Sequence, residues 1–200
     1  LICVAANSLI PLKKLIGCQV SVDVRTDKNQ LFRTSGIITG AELGQSDGAL
    51  TLYKITLEDA TSLWRYNRNN RIFMNKSIID IVKIIFEEWQ QRSPLFAKSL
   101  TLDLSGLKAT YDIRPFTMQV DESDYSLVTR LLRSEGVCWC IDEAQLIVSS
   151  YDDSIQAQKF KLIDDSSQFS QLDRQEIRYH RSSSVELADT ITSFIAKRTL

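Results

Sequence analysis

The first third of the chain alternates apolar and polar residues with a period of two, a pattern typical of β-strands. The alternation covers 18–24, 31–43 and 51–57, and polar turns separate these segments. Gly36 and Gly40 interrupt the second segment, where glycine commonly marks a bulge or a sharp bend. Three consecutive bent strands predict a small β-barrel or part of one.

The middle of the chain changes to the period of an α-helix. Apolar residues over 78–89 recur at the i, i+3, i+4 spacing that places them on one helix face. Ser77 is expected to cap the start of this helix, with Asp80 as its capping-box partner. Pro94 is expected to end it, because proline cannot continue a helix from within.

A second helix is predicted over 122–135, followed by weaker signals. Asp121 or Ser123 can cap this helix, and Gly136 supplies the left-handed residue at which helices commonly end. Two short apolar segments then predict a hairpin around a polar turn. They are 137–141 and 146–149, and beyond them 151–184 allows short strands while 185–200 is expected to form one more strand.

Composition indicates an ordinary globular protein and argues against some function classes. Of the 200 residues, 44% are hydrophobic, enough for a substantial core. The 24 basic and 25 acidic side chains give a net charge of −1, which argues against nucleic acid as the main partner, because phosphate binding normally shows a basic excess. No apolar run approaches the ~18 residues of a membrane-spanning helix, so stable membrane insertion is not expected.

The start of the chain has no initiator Met, which suggests a segment of a longer protein. Residues 1–6 are apolar but lack a charged leader, so a signal peptide is not predicted. We expect them to be part of an interrupted strand.

Candidate catalytic and metal-binding residues are few. His180, the single histidine of the sequence, lies in a polar stretch and is expected to be exposed. Cys138 and Cys140 would share one face of a strand, but the four cysteines lack the paired C-x-x-C spacing of a zinc site and are expected to be buried structural thiols. We therefore predict no catalytic residue, no metal site and no cofactor.

The acidic cluster 121–124 is the best candidate for carboxylate chemistry. Glycosidases use two carboxylates about 5–10 Å apart across a cleft, which leaves open a cell-wall glycan hydrolase using Glu122 or Glu135 with a nearby aspartate. The cluster lies at a predicted helix start, where acidic side chains cap the helix and complement its dipole. Capping is the preferred interpretation, and the acidic pairs 152–153 and 164–165 are expected to be solvated loop charges.

A basic, amide-rich connector with aromatic residues lies before the first long helix. Arginines between aromatic residues can bind single-stranded nucleic acid by stacking. The near-neutral charge favours a different interpretation, in which the aromatic residue at 64 closes a strand and the arginines bridge parts of the fold or contact a protein neighbour. The residues concerned are Arg65, Arg68 and Arg71, with Trp64, Tyr66 and Phe73.

Six blocks in a fixed order resemble the hub region of VgrG proteins, the spike of the bacterial type VI secretion machine. They are 12–17, similar to a short strand ending in glycine, 33–38, 53–57, 64–74, 111–125 and 130–136. The last two are the most specific, being similar to Q-x-x-E-(S/T)-D-(Y/F) and R-L-L-x-x-E-G. We expect a structural or interface role for the residues that carry the resemblance: Arg33, Gly36, Tyr53, Trp64, Arg71, Phe73, Gln119, Glu122, Asp124, Arg130, Glu135 and Gly136.

The resemblance implies an α+β fold like that of the contractile-phage tail hub: a split β-barrel interrupted by an inserted α+β domain. On that basis, 1–66 forms the first barrel portion, 67–184 the inserted domain and 185–200 the start of the return toward a second barrel.

The resemblance also implies partners and a location. In the family, three copies form a ring on the hexameric Hcp tube, carry a needle and effectors, and are often capped by a PAAR-repeat protein. The needle, tip and effector contacts would use regions outside this sequence. Two similar barrels per subunit would match a hexameric tube by symmetry. The implied location is the bacterial cytoplasm before firing and outside the cell afterwards.

Two alternatives remain open. A phage or phage-like tail hub would have the same mechanics with different cargo. The glycan hydrolase is the alternative from another class of function.

Overall fold

A computed structural model describes residues 1–26, 29–151, 153–169, 176–180 and 190–197. The N-terminal third forms a curved antiparallel sheet. Its strands are β1 (Ile2–Ala5), β2 (Gln19–Arg25), β3 (Leu31–Ser46) and β4 (Thr51–Glu58), in the order β1-β4-β3-β2, and the short β9 (Ile147–Val148) pairs with the start of β3. The predicted strands are confirmed, including the one over 1–6.

The pairing of the long strand β3 with β4 is irregular near its two predicted glycines. Its register with β4 shifts between Ile38 and Gly40, so one of the two predicted glycines lies at a bulge. The other, Gly36, allows a close approach of two strands: a Cβ there would lie 2.7 Å from the carbonyl oxygen of Glu58. One glycine therefore lies at a bulge and the other where two strands come close.

Two local predictions in this region are wrong. Residues 12–17 contain the one-turn helix α1 (Leu12–Leu15) rather than a strand. Trp64 does not close a strand, because β4 ends at Glu58 and a 3₁₀ helix follows over Ala60–Tyr66. The side chain of Asp59 accepts the backbone N–H of Thr61 at 2.9 Å and thereby starts this helix.

The basic connector is also a strand. It forms β5 (Arg68–Lys76), which pairs antiparallel with β7 (Arg114–Ser123) in a two-stranded ribbon. In register, Arg71 lies opposite Gln119 and Phe73 opposite Thr117. The blocks 64–74 and 111–125 are therefore neighbours in space.

The two predicted helices are confirmed with small changes at their ends. Helix α2 (Ile78–Arg92) has the predicted capping box: Ser77 Oγ accepts the N–H of Asp80 at 3.2 Å, and the Asp80 carboxylate accepts the N–H of Ser77 at 3.1 Å. Pro94 ends α2 and begins a further helix, α3 (Pro94–Ser99).

Helix α4 (Asp124–Ser134) begins two residues later than predicted, because Glu122 and Ser123 still belong to β7. Ser123, not Asp121, is the N-cap. Gly136 adopts the expected left-handed conformation, with φ of 70°.

The predicted hairpin between 137–141 and 146–149 is wrong. Strand β8 (Cys138–Asp142) pairs with β10 (Gln158–Ile163), which runs parallel to β6 (Leu100–Gly106), giving the order β6-β10-β8. Strand β9 pairs with β3 instead. The loop between β8 and β9 crosses from one sheet to another, so its ends cannot form a hairpin.

One apolar cluster holds the helices against the 3₁₀ helix and the β6-β10-β8 sheet. Trp64, only 1% exposed, packs against Phe160, Phe96 and Phe86 with ring centroids 5.4, 5.8 and 6.3 Å away. Ile37 of β3 joins the same cluster and links the first sheet to it.

The cysteines and the histidine differ from expectation in their exposure. Cys3 and Cys140 are half-buried and Cys18 and Cys138 exposed, so the prediction of buried thiols is wrong; Cys138 and Cys140 lie on β8, an edge strand. His180 is half-buried rather than exposed, and its backbone N–H donates to the backbone carbonyl of Ile191 at 3.0 Å.

Of the strand predicted over 185–200, the structure describes residues 190–197. Within 190–197, Ile191 forms a single bridge to Tyr179 and no longer strand is present. Residues 181–189 and 198–200, with 27, 28 and 152 from predicted turns or loops, lie outside the described part. None of the helices in the described ranges is long and apolar enough to cross a membrane.

Candidate functional site: two buried charges and an exposed ribbon

The first buried charge is Asp124, at the first position of α4, where its negative charge complements the helix dipole. The residue is 0% exposed. Its carboxylate accepts hydrogen bonds from Asn67 Nδ2 (2.6 Å), Trp89 Nε1 (2.9 Å), Gln119 Nε2 (2.9 Å) and Arg71 Nη2 (3.1 Å). These donors supply the partners that a buried carboxylate requires.

Arg71 extends this network to a further element. Its Nε donates to Gln119 Oε1 at 2.7 Å, and its Nη1 donates to Glu88 Oε2 at 2.6 Å. Strands β5 and β7 are thus fastened to helices α2 and α4 through one guanidinium group. Arg71, Gln119 and Asp124, predicted as motif residues, meet here.

Three partners in this network were not predicted: Asn67, Trp89 and Glu88. Trp89 was assigned to an apolar helix face, and its indole N–H gave no separate signal. The other two are polar residues in unremarkable sequence surroundings, so only the fold identifies them.

Two ion pairs join β7 to the C-terminal half of α4 and to the residue that follows the helix. Arg130 Nη2 donates to Glu122 Oε1 at 2.5 Å, and Arg114 Nη2 donates to Glu135 Oε1 at 2.5 Å. Glu122 and Glu135 were the candidate hydrolase carboxylates. Each of these glutamates is paired with an arginine. Neither lines the cleft between the first sheet and the β6-β10-β8 sheet. This geometry therefore does not favour the hydrolase.

The second buried charge is Arg33 on β3, 2% exposed. Its Nε and Nη2 donate to the two carboxylate oxygens of Asp23 on β2, at 2.8 and 2.7 Å. Its Nη1 donates to the backbone carbonyls of Asp153 (2.9 Å) and Ser154 (3.3 Å). The hydrogen bonds from Arg33 hold the pKa of Asp23 below its usual value, and Asp23 in turn raises the pKa of Arg33.

Glu143 completes the junction beside Arg33. Its carboxylate accepts the N–H and hydroxyl of Ser35 at 2.7 and 2.6 Å, and Nε2 of Gln158 at 2.7 Å. Gln158 Nε2 also donates to the carbonyl of Ser35 at 2.9 Å. On this edge, β3 pairs with β9 up to Phe32 and with β4 from Ile37 onward. Glu143 and Gln158 supply hydrogen-bond partners for the backbone of Ser35, which lies between these two paired segments. The junction fastens the first sheet to the β8–β10 region.

Glu143 and Gln158 were not predicted. Both lie in polar stretches, and the sequence carries no local pattern that would relate them to Ser35. Arg33 was predicted as a motif residue, but its partners were not.

The remaining motif residues are mostly buried structural positions. Tyr53 is 3% exposed and its hydroxyl donates to the carbonyl of Asn7 at 2.8 Å. Trp64 and Phe73 lie in the main apolar cluster. Gly36 and Gly136 permit the close approach and the helix end described above.

Arg65 and Arg68 also connect separate elements. The guanidinium of Arg65 lies 4.5 Å from the ring centroid of Tyr125, and Arg65 forms an ion pair with Glu58 at 3.4 Å. Arg68 donates to the carbonyl of Asp121 at 3.0 Å. These contacts are those expected of arginines that bridge parts of the fold.

The acidic loop residues are not simply solvated, contrary to expectation. Asp164 Oδ2 accepts the N–H groups of Lys108 (2.8 Å) and Ala109 (2.7 Å) and the hydroxyl of Tyr111 (3.0 Å). The N–H of Ala109 contributes most to lowering the pKa of Asp164. Burial, with the Asp164 charge, raises the pKa of Tyr111 to about 12.

Two neighbouring loop aspartates also organise the backbone. Asp153 Oδ2 accepts the N–H of Ser149 at 2.9 Å, and Asp165 caps the 3₁₀ helix Ser166–Gln168. Across the described ranges, no group of three or more His, Cys, Asp or Glu side chains is placed to hold a metal ion.

The outward face of the β5–β7 ribbon is apolar. Ile72 lies opposite Met118 and Met74 opposite Phe116, with Val120 beside them, and all five are 48–63% exposed. The inward face carries the polar network around Arg71. Exposed apolar patches of this kind mark interaction surfaces.

Comparison with known proteins gives the family. The model of the phage tail baseplate hub (GPD) family matches residues 1–200. Among curated relatives, the type VI secretion system spike protein VgrG4b of Pseudomonas aeruginosa is 30% identical over 123 residues, which is 60% of this chain and 14% of that protein. VgrG3 of Vibrio cholerae is 24% identical over 155 residues, 77% of this chain and 14% of that protein.

Solved structures show the same fold. The E. coli c3393 protein, described as a component of the type VI secretion system with structural similarity to the T4 bacteriophage tail proteins gp27 and gp5, matches with a TM-score of 0.69 at 23% identity, over 85% of this chain and 42% of that one. A lidless PdpA–VgrG complex matches with a TM-score of 0.52 at 15% identity, over 82% of this chain and 27% of that one. The chain spans about one seventh of the length of these two curated relatives.

The resemblance to the hub region of VgrG proteins is thus confirmed, as is a mixed α and β fold with a curled, half-barrel sheet. The chain belongs to the phage tail baseplate hub (GPD) family.

Proposed function

We propose that this chain is the N-terminal hub portion of a type VI secretion spike, a structural part of a trimeric ring that sits on the Hcp tube. The observation that carries the proposal is the match to spike relatives in sequence, together with a TM-score of 0.69 to a type VI secretion component. The buried charges support it, because both fasten one structural element to another.

In this proposal the curved N-terminal sheet is one part of a split barrel. Residues 1–66 form the first barrel portion, 67–184 the inserted α+β domain, and 185–200 lead toward a second barrel. Among the described residues, the outer strands β1 and β2 each have one edge that pairs with no other strand. Such a sheet suits a barrel that is completed by further strands.

The remaining partners follow from the same proposal. The needle, a PAAR-repeat tip protein and effectors would be carried through other regions of the full-length protein. The protein would act from the bacterial cytoplasm and leave the cell when the sheath contracts.

A phage or phage-like tail hub is the second candidate, and the name of the matching family favours it. Both candidates predict a protein without catalytic residues. A sheath gene cluster of the secretion type beside this gene would favour the spike, and a phage morphogenesis cluster the tail hub.

The hydrolase alternative makes a separate prediction. It requires that the protein turn over cell-wall glycan and that Glu122→Gln abolish the turnover. We expect no turnover from the wild-type protein.

Assembly of the full-length protein tests the proposal. We expect it to sediment as a trimer and to co-purify with tube protein. A full-length protein that remains monomeric and does not retain tube protein would contradict the proposed function.

A further inference from the structure

The connection between β8 and β10 is longer than the pairing of these strands requires. They are antiparallel neighbours in one sheet, with Asp142 opposite Lys159, so a turn of about two to five residues would join them. The chain instead leaves this sheet through residues 143–157, adds β9 to the first sheet and returns to begin β10. Connections of more than about 12 residues are uncommon in compact domains and usually have a function.

This connection holds the first sheet through a short contact with little apolar burial. Its strand β9 pairs with β3 at two positions, Leu31 with Val148 and Phe32 with Ile147. Val148, 4% exposed, is the one buried residue among those that the structure describes in 143–157. The hydrogen bonds of the junction described above supply much of the remaining contact. The connection therefore has a single apolar anchor.

A contact of this composition separates more readily than an apolar one. The carboxylate, guanidinium and carbonyl groups of the junction exchange their hydrogen bonds for bonds to water when the connection moves away as a whole. Removal of one partner by mutation is different, because the rest of the contact stays in place and a charge is left buried without its partner. Segments with few buried apolar contacts are those that open locally while the rest of a protein stays folded.

We propose that residues 143–157 form a latch that detaches from the first sheet as a unit while the helical core stays folded. Helix α2, by contrast, buries its whole apolar face in the main cluster. With the latch detached, the first sheet keeps its contact to the helices through Ile37 and through the chain that leads from β4 into the 3₁₀ helix.

The latch borders the cleft between the two sheets. Glu143 and Leu146 line this cleft, which has a volume of about 710 Å³. Detachment of the latch therefore widens the cleft and loosens the coupling between the first sheet and the β6-β10-β8 sheet. The latch is a property of this fold and is the same whether the protein is a spike or a tail hub.

An engineered disulfide closes the latch covalently in the full-length protein. The backbone N–H of Arg33 donates to the carbonyl of Leu146 at 2.8 Å. The neighbouring Phe32 and Ile147 therefore form a non-hydrogen-bonded pair, whose Cα atoms lie about 4.5 Å apart in such strands, within the range of a disulfide. Both side chains are exposed, by 39% and 52%. The double variant Phe32→Cys with Ile147→Cys should thus form the bond without disturbing the core, and peptide mapping distinguishes it from bonds to the native cysteines.

Hydrogen exchange of this double variant, followed by mass spectrometry with resolution of single amides, measures the opening of the latch. In the reduced form, the amides of Arg33 and Ser35 should exchange at least about a hundredfold faster than the slow amides of α2. Oxidation should slow these two amides at least about tenfold and leave α2 unchanged. The reduced form is the matched control, because it carries the same substitutions without the bond.

Two substitutions on β9 give an independent test. Val148→Ala removes part of the apolar anchor, and Ile147→Ala, on the same strand but 52% exposed, is the matched control. Val148→Ala should accelerate exchange at Arg33 and Ser35 at least several-fold more than the control does, with no change in α2. The latch is overturned if both amides exchange as slowly as those of α2 in the reduced protein, or if oxidation does not slow them. It is also overturned if Val148→Ala accelerates α2 by the same factor, because the connection would then open only when the whole protein unfolds.

Discussion

The two buried charges of this protein differ in how far along the chain their partners lie. Asp124 takes donors that are at most 57 residues away, and all lie in the ribbon, in the residue just before it or in helix α2. The junction around Arg33 and Glu143 includes one close pair, Arg33 with Asp23, but its contacts between the first sheet and the β8–β10 region join residues 108–123 positions apart. Asp124 therefore belongs to one packed unit, whereas the junction fastens two units together.

This difference predicts different consequences for stability. Removing a partner from a buried, charged network leaves uncompensated charge and costs several kcal/mol. Loss at Asp124 should weaken the packed unit as a whole. Loss of a hydrogen-bond partner at the junction should destabilise the first sheet, while the amides of the helical core stay protected from hydrogen exchange.

The largest effect is expected from Asp124→Ala, which leaves Arg71 and three neutral donors without their common acceptor. We expect a loss of about 3–5 kcal/mol in the free energy of unfolding, measured by urea denaturation followed by circular dichroism. Glu122→Gln is the control, because it disrupts a more exposed ion pair and should cost less than about 1 kcal/mol. Equal losses in the two variants would contradict the role assigned to Asp124.

Arg33→Met should come next, at about 3 kcal/mol, because it removes the cation paired with Asp23 inside the junction. Hydrogen exchange should show lost protection in β9 and at the start of β3, while α2 keeps its slow amides. Protection lost equally in α2 would mean that the two units are not separable.

Glu143→Gln should cost about 1–3 kcal/mol, because it removes a negative charge close to buried Arg33 and replaces charge-assisted hydrogen bonds from Ser35 and Gln158 with weaker neutral ones. Glu42→Gln, at an exposed ion pair with Lys54, is the matched control and should change stability by less than about 0.5 kcal/mol. Thermal unfolding of both variants measures the difference. A Glu143 variant as stable as the control would show that the junction does not depend on this carboxylate.

The smallest effect concerns acid. The pKa of Asp23 is lowered in the folded state from 3.8, so its contribution to stability is present above pH 3.8 and is lost as the pH falls through the lowered value. The stability difference between wild type and Arg33→Met should therefore shrink on acidification, because the wild type loses the contribution of the Asp23–Arg33 pair. Urea denaturation across this range measures it, and a difference that grows on acidification would have the wrong sign.

Sequence alone predicted the helices and strands whose apolar residues follow a regular spacing within one segment. The α2 stripe and the box of Ser77 and Asp80 are properties of adjacent residues, so the helix and its start were predicted correctly. Strands β2, β3 and β4 were predicted for the same reason, since each follows a period of two.

The ribbon was missed because its pattern is inverted. Ile72, Met74 and Phe116 face outward, while Arg71 and Gln119 face inward into the polar network. A period-two pattern with polar residues on the buried side does not resemble a half-buried strand, so the segment was interpreted as a connector.

Long-range contacts account for the other errors. The predicted hairpin failed because β8 and β9 pair with β10 and β3, and Glu143 reaches Ser35 across more than a hundred residues. No local pattern encodes such pairings. For the same reason the family motif identified Arg33 as a structural residue but did not identify the residues that form hydrogen bonds with its buried side chain.

Electron cryomicroscopy of the full-length protein bound to tube protein tests the central claim most directly. The account predicts a threefold ring in which this chain supplies one barrel portion of each subunit, with Asp124 and Arg33 buried inside a subunit. A single copy with no threefold arrangement, or a density map with a sugar or metal between Glu122 and Glu135, would contradict it.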